Sequence, residues 1–79
     1  MMTAEILNDI LRELERAERL HPAWPTDTIH QVSIMGEEAG ESLRAALRLV
    51  YEGGTLEELR TEMVQTGAMV IRVLKNLKG

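Results

Sequence analysis

The chain has 79 residues, 44 % hydrophobic and 28 % charged, the composition of one globular domain rather than a disordered tract. It has no cysteine, which excludes disulfides, thiolate metal sites and a cysteine nucleophile. Its net charge of -4 argues against a surface built for duplex DNA or RNA, and no apolar run reaches the roughly 18–20 residues of a membrane span.

With one Trp, one Tyr and no Phe, the core is expected to be aliphatic. A core in a chain this short supplies only about 3–5 kcal/mol. Self-association is therefore expected, as a homodimer or a dimer of dimers. The segment Met1–Ile10 lacks the basic flank and apolar run of a secretory signal, so a cytoplasmic location is expected.

The spacing predicts a first helix over about 4–20. Ile6, Leu7, Ile10, Leu11, Leu14 and Leu20 recur at steps of three and four, and Glu13, Glu15, Arg16, Glu18 and Arg19 cover the other side. Thr3 is the expected N-cap, with Glu5 in the first turn. A loop over 21–27 follows, because Pro22 and Pro25 forbid a continuous helix.

Thr26 or Asp27 caps the second helix, expected over about 28–51 and stopped by Gly53-Gly54. The third opens on the capping box Thr55-Leu56-Glu57-Glu58 and spans about 55–77. No strand pattern or repeat interrupts this. The expected fold is all-α: a helical hairpin plus an N-terminal helix, forming a multi-helix bundle by homo-oligomerisation.

The second helix has two faces. Val32, Met35, Ala39, Leu43, Ala46, Leu47 and Val50 form an apolar stripe that reads as core. Opposite lie Glu37, Glu38 and Glu41, mixed with Ile34, Ala45 and Leu49. On the third helix, Leu59, Met63, Val70, Leu74 and Leu77 read as core, with Glu58, Glu62, Gln65 and Met69 on the flank.

Glu38 and Glu41 are three apart and share a helix face, where like charges repel. Gly36 and Gly40 each cost about another 1 kcal/mol against Ala. Such local conflicts mark function or close packing. Antiparallel pairing across the glycine turn brings Glu41 level with Gln65, and Glu38 and Glu62 about one turn, roughly 5 Å, to either side. Oxygen ligands of this kind suit Mg²⁺ or Mn²⁺, and the absence of histidine from the cluster argues against zinc.

The run Trp24-Pro25 to His30, then Glu37-Glu38-x-x-Glu41 and Glu62-x-x-Gln65, resembles the MazG-like family of all-α nucleoside triphosphate pyrophosphohydrolases. The resemblance spans about Trp24 to Leu77 and implies hydrolysis of a nucleoside triphosphate to a monophosphate and pyrophosphate, possible substrates including non-canonical nucleotides. It implies Glu38, Glu41 and Glu62 as metal ligands with Gln65 in the fourth place, Mg²⁺ or Mn²⁺ as cofactor, and Glu37, Glu38 and Glu41 as catalytic acids. Glu37 would bind a further metal or orient the attacking water. Gln65 stands where the family has Asp and removes one negative charge. A non-catalytic oligomerisation or regulatory module derived from the same fold is the alternative.

Trp24 either stacks on a base or covers the end of the core. His30 reads as a helix-start residue or a substrate contact. Arg72 and Lys75, with Arg44 and Arg48, are candidates for holding triphosphate or are solvated charges and ion pairs.

Overall fold

Three helices follow one another: α1 (Thr3–Leu20), α2 (Thr28–Tyr51) and α3 (Leu56–Asn76). The computed structural model describes residues 1–78, and no strand occurs among them. The observed ends agree with the periodicity to within one residue, because each end carries its own stop or start signal.

At the start of α1 the expected cap differs. Thr3 is the first helical residue and Met2 the cap. Glu5 reaches back to accept the Met2 N–H at 3.0 Å, which satisfies an end donor without a capping hydroxyl. Asp27 caps α2, its Oδ2 accepting the His30 N–H at 2.8 Å. Thr55 caps α3 by accepting the Glu58 N–H at 3.1 Å. The Glu58 carboxylate, expected to close a capping box, is turned to within 4.0 Å of Arg48.

The turn between α2 and α3 is held from one atom. The Arg48 carbonyl accepts the N–H groups of both Glu52 and Gly54, each at 2.9 Å. Gly53 has φ of 74°, a left-handed geometry that favours glycine. A Cβ on Gly54 would lie 2.9 Å from the Arg48 Cβ, so the close return of the chain requires glycine there.

α3 packs against both other helices, and α1 and α2 do not pack on each other. The α2–α3 hairpin is antiparallel, its register marked by a 2.8 Å hydrogen bond between Ser42 and Thr66. The Thr66 hydroxyl donates its one proton to the Glu62 carbonyl, so Ser42 is the donor to Thr66. α1 runs parallel to α3: Ile10 lies over Gly67 and Glu18 pairs with Lys75, both 57 residues away. The core forms where these contacts meet, from Leu14, Ala17, Ala68 and Met69, with Ile10, Trp24, Ile34, Met35 and Ile71 packed around them.

Which faces are buried reverses the expectation. The α2 side turned to α3 carries Gln31, Ile34, Glu38, Ser42, Ala45 and Leu49, all buried or half-buried. The apolar stripe expected as core is mostly open: Val32, Ala39, Leu43, Leu47 and Val50 are exposed, and only Met35 and Ala46 are half-buried. On α3 the buried or half-buried residues include Leu59, Glu62, Gln65, Met69, Arg72 and Val73, whereas Met63, Val70 and Leu74 of the expected stripe are exposed, as is Leu77 at the C-cap. Small and polar side chains let the hairpin helices close on each other through the Ser42–Thr66 contact, leaving the bulky stripes outside.

Candidate metal centre

Glu38 and Glu41 stand on successive turns of α2, and Glu62 faces them from α3. One carboxylate oxygen from each lies within 4.8 Å of the others. The expected meeting of these three acids is therefore present. Glu38 and Glu62 are half-buried and Glu41 is exposed, so the cluster opens to solvent on one side. Glu38 Oε2 and Glu62 Oε2 are buried and have no hydrogen-bond partner.

Unpartnered buried carboxylate oxygens are costly. Burial is the largest cause holding the Glu38 carboxyl above the ordinary carboxylate range, followed by the charges of Glu41, Glu62, Glu13 and Glu37. Burial is likewise the largest cause raising Glu62, with an added contribution from neighbouring Glu41. A donor set made only of carboxylate oxygens, two of them lacking a proton donor, fits a hard divalent cation.

Beside the acids lies a cleft of about 310 Å³ bordered by Glu13, Trp24, Glu38, Gln65, Met69 and Arg72. Gln65 thus borders the same cleft as Glu38. Glu13 adds an acid from α1 that the sequence did not single out, because it sits on what reads as a solvated side of that helix. Arg16 forks onto it at 2.9 and 3.0 Å. A larger groove of about 780 Å³ between the N-terminal halves of α1 and α3 meets this cleft only at Glu13 and Gln65, away from the three acids.

Arg72 is only 4 % exposed, which departs from a solvated charge. Its Nη2 donates to the His21 carbonyl at 2.7 Å, and its guanidinium lies 4.3 Å from the Trp24 ring centroid. No carboxylate lies within 4 Å of it among the described residues. Trp24 packs against the core while its Nε1 is buried without a partner. The cleft therefore has an acidic end at Glu38 and a cationic end at Arg72.

The other singled-out residues lie apart from this cleft. His30 is exposed in the first turn of α2. Lys75 pairs with Glu18 at 2.9 Å. Glu37 is exposed, next to Glu38 in the chain but outside the three-acid group. No helix among the described residues is long and apolar enough to cross a membrane. Comparison with protein-family models, curated proteins and solved structures finds no match.

Proposed function

We propose that this protein is a metal-dependent nucleoside triphosphate pyrophosphohydrolase that assembles as a homodimer or a dimer of dimers. The observation that carries the reading is the convergence of Glu38, Glu41 and Glu62 from facing helices, two of them with buried oxygens lacking a partner. Three acids placed against one another at a cost to the fold are the kind of local conflict that a bound cation resolves. Bound there, Mg²⁺ or Mn²⁺ would neutralise phosphate charge and acidify water.

The chain's own residues have separable tasks in this reading. Glu38, Glu41 and Glu62 hold the cation, and the Gln65 amide oxygen is a fourth donor without a charge. Glu37, at the exposed edge, orients the attacking water. The cleft seats the nucleotide between Gln65 and Trp24, with the Arg72 guanidinium offering donors to phosphate or to a carbonyl at its far end. The anhydride between the α- and β-phosphates breaks, leaving a monophosphate and pyrophosphate.

Gln65 also supports a second reading, a non-catalytic helical module that keeps the fold. Pyrophosphate release across a nucleotide panel, with Mg²⁺, Mn²⁺ and no metal, separates the two. The enzyme reading expects metal-dependent release that Gln65→Asp increases. Absence of release and of nucleotide binding in both forms would leave the module.

A further inference from the structure

The aliphatic residues outside the hairpin form a surface in need of a cover. Leu43, Leu47 and Val50 of α2 are 63 %, 47 % and 68 % exposed, and Leu74 of α3 is 65 % exposed. At about 100° per residue, Leu43 and Leu47 lie roughly 140–180° around α2 from Glu38. The α2 positions 32, 36, 39, 40, 43, 46, 47 and 50 carry no charged side chain, although the chain has a net charge of -4. This surface is separate from the acids and their cleft.

The surplus surface of the whole chain is about what one protomer buries in a dimer. The 8.9 kDa chain exposes 5748 Å², whereas a compact monomer of that mass exposes about 4,800 Å². The excess of about 900 Å² is close to the roughly 800 Å² per partner of a stable interface. No large side chain is fully buried in the lone chain, so a partner must be constantly at hand, and a second copy is.

The face is also complementary to itself. Space beside Gly36 and Gly40 is open, with nothing within 4 Å of an added Cβ. If two α2 helices pair antiparallel about a twofold axis level with the Glu41–Ser42 peptide, Leu43 of each falls opposite Gly40 of the other. The same register sets Leu47 opposite Gly36, so each bulky residue meets a gap. Closed twofold pairing of one patch with itself requires this arrangement.

We infer that the outward face of α2 is the homodimer interface, self-paired antiparallel with Leu43 on Gly40 and Leu47 on Gly36 of the second copy. This deepens the homo-oligomer part of the proposed function and does not depend on its chemistry. The acid clusters then lie away from the contact, one on each copy.

Sedimentation equilibrium of the full chain at micromolar concentration, without nucleotide or metal, tests this. Wild type should be dimeric. Gly40→Leu fills a space that is open in the lone chain and improves helix propensity, so it should fold with undiminished helix content by circular dichroism yet sediment as a monomer. The exchanged pair Gly40→Leu with Leu43→Gly restores the bulky-to-gap match and should sediment as a dimer. A monomeric wild type, or a Gly40→Leu protein that stays dimeric, overturns the interface; an exchanged pair that stays monomeric overturns the register. Failure of pyrophosphate release would leave these outcomes untouched.

Discussion

The two faces of α2 differ in a way that hydropathy inverts. The face turned to α3 buries Gln31 at 2 % exposure and Ser42 at 7 %, with Glu38 half-buried between them. The opposite face carries Leu43, Leu47 and Val50 into the open. The open stripe is the part of α2 that the proposed second copy would cover. A buried polar face is tolerated when its groups are paired with one another or with something bound. The comparison thus separates what folds the hairpin from what occupies it.

The largest test of that separation is catalytic. Glu38→Ala should lower kcat/KM for pyrophosphate release by at least about 100-fold, close to 2.7 kcal/mol of transition-state stabilisation. Val50→Ala, on the other face, should leave turnover in place. Helix content should survive Glu38→Ala, because the change relieves repulsion with Glu41. Equal losses from both substitutions would erase the distinction between the faces.

Acid titration sharpens it next. The folded-state carboxyls of Glu38 and Glu62 are held above their ordinary range, chiefly by burial. A raised pKa means the fold favours the protonated acid. The stability these two groups contribute is therefore complete below the ordinary carboxylate range and is lost as pH rises through their raised folded-state values. In the metal-free protein, thermal melts of wild type and of Glu38→Gln/Glu62→Gln should diverge on that rise, the amide form being the more stable at neutral pH. Saturating Mg²⁺ should reverse the order. Melts that stay parallel across pH and metal would show that the buried oxygens bear no cost.

Smaller effects belong to the hydrogen bond between the hairpin helices. Ser42→Ala removes the donor to Thr66 and should cost about 1 kcal/mol by urea denaturation, since Thr66 keeps its bond to the Glu62 carbonyl. The smallest belongs to Glu37, exposed beside the cluster. Glu37→Gln should move stability by less than about 0.5 kcal/mol, as surface changes usually do. A larger shift would place Glu37 inside the network that Glu38 occupies.

Much of this is legible in the amino-acid sequence. Asp27, Thr55 and the paired glycines signal the helix ends through local backbone chemistry, which needs no tertiary knowledge. The meeting of Glu38 and Glu41 with Glu62 follows from antiparallel pairing over a short turn, a geometric consequence of chain connectivity. The faces were not legible, because periodicity marks a stripe as apolar without saying which partner it meets. Val32, Leu43 and Val50 look like core in one chain and like an interface in two. Glu13 was missed, and the burial of the candidate Arg72 was not foreseen, for a related reason. Their roles arise from the parallel docking of α1 on α3, across contacts that no local pattern records. Trp24 between two prolines was a visible oddity, but its pairing with the Arg72 guanidinium lies 48 positions downstream.

The parallel course of α1 beside α3 also orders the assembly of the fold in time. Ser42 and Thr66 join α2 to α3 across 24 positions, whereas Glu18 and Lys75 join α1 to α3 across 57. Closing the longer loop costs about 0.8 kcal/mol more in chain entropy, and its contacts raise the mean separation that slows folding. The hairpin, with its glycine return, is therefore expected to form first, with α1 docking onto a surface already made. In reverse, α1 is the segment that opens first, so its amides should exchange with solvent ahead of those around Ser42 and Thr66. Each such opening also withdraws Glu13 from the cleft and the His21 carbonyl from Arg72, so the cleft is whole only while the amino-terminal helix is docked.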